Sequence, residues 1–299
     1  MRSFLQVLAF FFPRPVNAWL HQLAGAKIGR NVTIHPGVLI IAREMEVGAD
    51  AKIRFGTMIN VRSFKLGEKS LLGYHINVKG MTDLHIGPAC VIGPKTMINC
   101  DCPVIIHYYS GVGPDCCLFT HGSFLPVSEG YRVTFGPIEL KSKSWVTMRS
   151  TIGPGVTIGE GTNVMPGTIL LESVGSNRLV SGNPAKLINI PLLRNMGKTR
   201  DLNRLGREIL ESFSRWIIEQ GAKSAEMVEQ SLRVELDGRL YSLAVDREAD
   251  IVLVSTRESN INGMYFNIAT LRTDGGRNRL KGKLEGYLRL YYGMTFLDE

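Results

Sequence analysis

The chain has 299 residues, 44% of them hydrophobic, with mean hydropathy of +0.03, a formal charge of +8 and a pI near 9.3. That describes an ordinary soluble globular protein of two domains, whose basic excess favours anionic partners: a phosphorylated cofactor, a charged glycan or a membrane surface. The basic residues are scattered, with moderate clusters at 194–207 and 272–283, and form no arm or helix dense enough to argue for nucleic acid. The five cysteines, at 90, 100, 102, 116 and 117, lack the spacing of a zinc knuckle or a redox pair, which points to a reducing compartment.

Residues 1–27 open with an apolar run from Phe4 to Phe12, nine residues stopped by Pro13 and Pro15. A bilayer span needs about 20 residues. No small-residue cleavage site comes after it, which speaks against a secretory signal. Two compatible readings stand. The segment, with Val16, Trp19, Leu20 and Leu23, forms a helical cap on the domain that begins at Ile28, or it lies in a membrane interface as a peripheral contact.

From Ile28 onward an aliphatic residue returns every sixth position, usually followed by Gly, as in Ile28-Gly-Arg-Asn-Val32, Val47-Gly-Ala-Asp-Ala51 and Ile92-Gly-Pro-Lys-Thr96. A period of six fits neither a helix nor an ordinary strand; it is the mark of a parallel β-helix built from hexads. The aliphatic residues group as 28/34/40, 47/53/59, 66/72/78, 86/92/98 and 106/112/118, so successive turns advance by 19, 19, 20 and 20 residues. Three hexads make a triangular turn of 18, and the surplus must be taken up at one corner. The small residue four positions after the aliphatic one (Val32, Ala51, Ser70, Cys90, Thr96, Thr162) also points inward. Corners call for Gly or a residue that tolerates positive φ. About seven turns, stacked at roughly 4.8 Å, give a prism 30–35 Å tall that only the stack as a whole can bury.

The rhythm breaks once, over 122–137, and resumes through Val146, Ile152, Ile158, Val164 and Leu170 to an end near Ile190. A long aperiodic insertion in a periodic core is usually functional. Of the six histidines, His21 belongs to the cap, and His35, His75, His85 and His107 fall on hexad faces or corners. His121 ends a strand immediately before the insertion, where an imidazole could take a proton from a hydroxyl.

Residues 191–299 read as a separate α+β domain. Leu202, Leu205, Ile209, Phe213, Trp216 and Ile217 mark an amphipathic helix within 199–220. Asp237-Gly238 signals a hairpin, 251–254 and 265–271 read as strands, and Leu280, Leu284, Tyr287, Leu288 and Tyr291 stripe a last helix. No catalytic set stands out there, which leaves an accessory role.

Gly136-Pro-Ile-Glu-Leu140, Trp145-Val146, Thr151 to Gly161, Met165-Pro-Gly-Thr-Ile169 and Val180-Ser-Gly-Asn-Pro-Ala-Lys186 together resemble the hexapeptide-repeat acetyltransferases, in particular the saccharide and exopolysaccharide O-acetyltransferases. The resemblance covers about 24–188. It implies a left-handed β-helix, a homotrimer with sites between subunits, acetyl-CoA as acyl donor, no metal, and a saccharide hydroxyl as acceptor in bacterial surface polysaccharide or lipopolysaccharide synthesis in the cytoplasm. It implies His121 as general base and Trp145 and Lys186 beside the cofactor. It also places Thr147 and Gly167 where backbone approaches the pantetheine arm. Thr147 stands where the family usually has Gly, and Met165-Pro-Gly-Thr168 where it has Gly-Ala-Gly-Ser. Asn99 is similar to an asparagine that binds the acetyl or acceptor group; it could equally be a corner residue at positive φ.

Three other readings on the same fold compete with O-acetylation. One is N-acetylation of an amino sugar. A second is a non-catalytic trimeric scaffold, and a third a zinc enzyme, whose paired histidines five residues apart are missing because Pro126 stands five after His121. A nucleotidyltransferase would need a nucleotide-binding domain before the β-helix.

Overall fold

The computed structural model describes residues 1–122, 126–189, 201–229, 231–245, 250–255, 264–267, 271–273, 278–292 and 294–298. The chain divides into two compact units, Met1–Gly197 and Lys198–Glu299.

The first unit is the parallel β-helix that the hexads predict. One face stacks Thr33–Ile34, Lys52–Ile53, Leu71–Leu72, Val91–Ile92, Gly111–Val112, Trp145–Val146, Asn163–Val164 and Leu179–Ser181, all in parallel register. We call this the second face. It has eight rungs, one more than the sequence count. The third face runs from Leu39 through Met58, Asn77, Met97 and Cys117 to Thr151 and Ile169, and the first face from Glu46 through Lys65, His85, Ile105 and Glu139 to Thr157.

The inward aliphatic residues are fully buried, and so are the small ones at the corners: Ala51, Cys90, Thr96 and Thr162 are 0% exposed. The polar ones are chosen for hydrogen bonding as well as size. Ser70 Oγ donates to Gly87 O at 2.8 Å, Thr96 Oγ1 to Gly113 O at 2.9 Å and Thr162 Oγ1 to Gly175 O at 2.6 Å, each tying its corner to the turn above. A buried carbonyl left without a donor would cost more than the hydroxyl does.

Two of the three corners turn through left-handed residues. Asn31, Asp50, Lys69, Ala89, Tyr109, Lys143 and Asn177 stack at the corner between the first and second faces; His75, Lys95, Asp115, Arg149 and Gly167 stack between the second and third. The corner between the third and first faces has no such stack; Gly155, at φ 77°, turns it once above the insertion. In the lowest turns it is crossed by continuous nine-residue strands, Leu39–Val47 and Met58–Leu66. This corner absorbs the surplus residues of the 19- and 20-residue turns, and in the fifth turn it carries the insertion.

An open first turn would leave backbone groups unpaired. Helices α1 (Arg2–Ala9) and α2 (Val16–Leu23) supply the missing partners. Gln6 Nε2 donates to Ala42 O and Asn17 Nδ2 to Ile34 O, both at 2.8 Å, Arg2 donates to Arg43 O, and Phe10 O accepts from Gly37 N at 3.1 Å.

In the second unit, helix α3 (Leu202–Glu219) starts at Asp201, whose carboxylate accepts from Arg204 N at 3.1 Å. Helix α4 covers Arg279–Tyr292. Seven strands form one sheet, antiparallel except for the last pair, Arg272–Thr273 with Leu297–Asp298. The predicted hairpin turns at Asp237 and Gly238, with φ of 52° and 72° and Leu236 opposite Arg239. The strand expected over 265–271 covers Met264–Asn267; 268–270 lie outside the described residues, and Leu271 has positive φ. The expected β-helix end near Ile190 also falls outside them. Ile209, Phe213, Leu232, Leu243, Leu284 and Leu288 pack at 0% exposure as this unit's core.

Candidate active site

At the insertion corner, Cys117–Leu118 ends the third face and Thr120, wholly buried, turns the chain outward. Thr120 Oγ1 accepts from Cys102 N at 3.0 Å and donates to Asn99 Oδ1 at 2.8 Å. His121 follows, and the insertion leaves and returns as a two-stranded ribbon, His121–Gly122 against Thr134–Phe135. Gly136 N closes it by donating to Thr120 O at 3.0 Å. The Phe135 ring stacks on the imidazole with centroids 5.9 Å apart and planes inclined by 23°.

One turn below, the surplus residues of a 20-residue turn bring Asp101 under the imidazole. His121 Nδ1 lies 3.0 Å from Asp101 Oδ2 and 2.9 Å from Asn99 Oδ1. Asn99 Nδ2 donates to the same Asp101 oxygen at 3.1 Å. With two acceptors facing it, Nδ1 carries the hydrogen, so neutral His121 keeps its lone pair on Nε2. No protein group among the described residues engages Nε2. The side chains of His121 and Asp101 are each 30% exposed, open enough for an incoming hydroxyl.

This is the arrangement of a general base held by an orienting carboxylate. Asn99 is not a left-handed corner residue; it sits in strand Met97–Asn99, and its amide is spent on Thr120, His121 and Asp101. Asp101, Thr120 and Phe135 are the residues that sequence reasoning missed. The signal was present in the extra length of the turn that holds Cys100-Asp-Cys102.

The remaining predicted residues gather elsewhere on the prism. Trp145 begins its rung on the second face, 39% exposed, with its ring laid over Gly111 so closely that a Cβ there would meet Trp145 Cζ3 at 2.1 Å. Thr147 follows on the same rung and spends its hydroxyl on Val164 O at 2.7 Å. Gly167, at φ 70°, turns the next corner with open space where a side chain would stand. Lys186 is exposed in a short strand antiparallel to Leu179–Ser181. The vertex that carries His121 lies opposite this face. Within one chain the structure therefore unites His121 with Asn99 and keeps Trp145, Thr147, Gly167 and Lys186 as a second group.

The other histidines stand apart from both groups. His107 Nε2 is 2.7 Å from Glu139 Oε1, and His85 Nε2 is 3.3 Å from Ser63 Oγ. Lys141 and His107 together hold the Glu139 carboxyl below its usual range. Burial pushes the thiols of Cys90 and Cys100 up to about 11 and about 12, which keeps them protonated and unreactive.

Sequence comparison finds the chain similar to the colanic acid biosynthesis acetyltransferase WcaF of Escherichia coli K12. The two are 28% identical over 171 residues, 57% of this chain and 72% of that protein. An acetyltransferase of Staphylococcus aureus Mu50 is 35% identical over 66 residues, 22% of this chain and 33% of its own length. Among solved structures, the chain resembles AntD, an N-acyltransferase from Bacillus cereus in complex with dTDP and 3-hydroxybutyryl-CoA. The identity is 18% and the TM-score 0.41, over 62% of this chain and 90% of that one. No protein-family profile matches. These sequence relatives are acetyltransferases, in keeping with the resemblance that the motifs carry.

Proposed function

We propose that the first unit is an O-acetyltransferase that moves the acetyl group of acetyl-CoA to a saccharide hydroxyl in the building of a surface glycan. The observation that carries this reading is His121: Nδ1 fixed by Asp101 and Asn99, Nε2 turned outward where the insertion leaves the prism. A sugar hydroxyl is too weak an acid to attack a thioester unaided. As its oxygen bonds to the acetyl carbonyl carbon, Nε2 takes the proton. Asp101 stabilises the imidazolium that results. Collapse of the tetrahedral intermediate breaks the carbon–sulfur bond, and the imidazolium returns the proton to the departing thiolate, releasing the acetyl ester and coenzyme A.

The donor would be held by the second group of residues. Lys186 offers an exposed cation to the coenzyme's phosphates, the exposed edge of Trp145 an apolar wall, and Gly167 an unobstructed corner. Because these stand opposite the His121 vertex, they would serve the histidine of a neighbouring copy, which is why we read the working form as a homotrimer. The five free thiols fit a cytoplasmic setting. Incubating the protein with labelled acetyl-CoA and a panel of saccharides and amino sugars tests the reaction. Label should enter alkali-labile esters; label entering stable amides instead would make it an N-acetyltransferase.

A further inference from the structure

The cap does more than close the β-helix. Its inner side, with Gln6, Asn17, Ala9, Leu20 and His21, is buried against the first turn. Its outer side exposes Phe4 (69%), Phe11 (70%), Trp19 (56%) and Leu23 (53%), side chains whose exposure serves neither the prism core nor the backbone contacts of the cap. Scattered exposed apolar residues are ordinary, but several large ones on two adjacent short helices form a patch that asks for a partner.

The charge around the patch says which partner. The first 43 residues contain Arg2, Arg14, Lys27, Arg30 and Arg43 and no Asp or Glu; the first acid is Glu44. All five basic residues are exposed. Arg14 lies between the two helices, its guanidinium anchored by donating to Thr33 Oγ1 at 3.0 Å. Aromatic rings on a segment that carries cations and no acid of its own are the composition of a segment that lies in the headgroup region of a bilayer, rings in the acyl boundary and cations among phosphates. Neither helix is long enough to cross one, and no described helix is long and apolar enough to do so. A second copy of this chain would set the same cations against each other, which disfavours self-association through this patch.

We propose that the outer face of the N-terminal cap is a membrane-docking surface that seats the protein on a leaflet containing anionic phospholipid. Phe4, Phe11, Trp19 and Leu23 insert, and Arg14 and Lys27 meet the headgroups. This surface works independently of the acyl-transfer reading, so failure of either leaves the other standing.

The test is co-sedimentation of the full chain with vesicles of phosphatidylcholine alone or mixed with phosphatidylglycerol. The protein should pellet with the mixed vesicles at physiological salt and be released as salt rises, since screening shortens the reach of exposed charges to about 3 Å at 1 M. Phe11→Asp with Trp19→Asp should lower the bound fraction about tenfold or more, and Arg14→Glu with Lys27→Glu should abolish the preference for anionic lipid. A second readout is quenching of Trp19 by brominated lipid, in a chain with Trp145→Phe and Trp216→Phe whose fold is checked by circular dichroism; quenching is expected. Three results would overturn the proposal. They are no pelleting with anionic vesicles, equal pelleting of wild type and the folded Phe11→Asp/Trp19→Asp variant, or self-association through the patch without vesicle binding.

Discussion

Asp101 Oδ2 lies 3.0 Å from His121 Nδ1, across one turn of the β-helix and twenty residues of sequence. In the proposed mechanism the carboxylate touches no reacting atom and acts through the imidazole. His121→Ala should lower turnover by about 10²–10⁴-fold, the usual contribution of a positioned base. Asp101→Asn should lower kcat by about 10–100-fold with KM nearly unchanged, a loss typical of removing an orienting partner. An unchanged kcat, or a loss carried by KM instead, would demote Asp101 to a merely structural corner residue.

Gly111 has a similar hold over Trp145. A methyl group at 111 would overlap the indole, whose exposed position lets it swing away without unfolding the prism. Gly111→Ala should therefore raise KM for acetyl-CoA roughly 2–10-fold, the worth of one aromatic contact, while kcat and the melting temperature change little. Steady-state kinetics beside a thermal melt decide it.

Lys186→Glu should weaken coenzyme A binding roughly 3–10-fold at physiological salt, as expected for reversing one exposed charge, and less as salt rises. Calorimetry at two salt concentrations measures both effects. Unchanged affinity would remove Lys186 from the donor site.

His21 makes the cap sensitive to acid. Both ring nitrogens are buried with no hydrogen-bond partner among the described residues, and burial lowers the imidazole to about 4. The unfolded chain takes up a proton near pH 6.5 while the folded one resists until about 4, so stability present above pH 6.5 is lost as pH falls through that window. The size is on the order of 3 kcal/mol at about 1.4 kcal/mol per unit. Thermal melts between pH 7.5 and 4.5 should show His21→Leu losing less stability than wild type.

The prism was legible in the sequence because a narrow triangular core forces an aliphatic residue every six positions, and nothing else in a protein has that period. His121 was legible because it borders the one interruption. Asp101 was not: a turn of 20 residues announces that a corner bulges, without saying which bulging side chain returns toward the turn above. Asn99 was misplaced as a corner candidate for the same reason, since its role depends on Thr120 and His121 arriving a turn later. In the second unit the Asp237-Gly238 hairpin and both helices were readable. The edge strand Ser224–Val228, with no apolar alternation, and the two-residue Leu297–Asp298 gave no periodic signal.

On the third face, Leu39 of the capped turn and Cys117 of the histidine's turn are separated by four inter-strand steps: Leu39 to Met58, Asn77, Met97 and Cys117. At about 4.8 Å per step the separation is about 19 Å. It is a ruler with fixed graduations. Adding or removing a whole turn changes the height of the His121 corner above the cap by one graduation and leaves every residue facing as before. Adding a single residue within a strand turns core positions outward and destroys the stack. The reach from the cap to His121 can therefore be retuned only in whole turns, and the number of turns below His121 is a property selection can count.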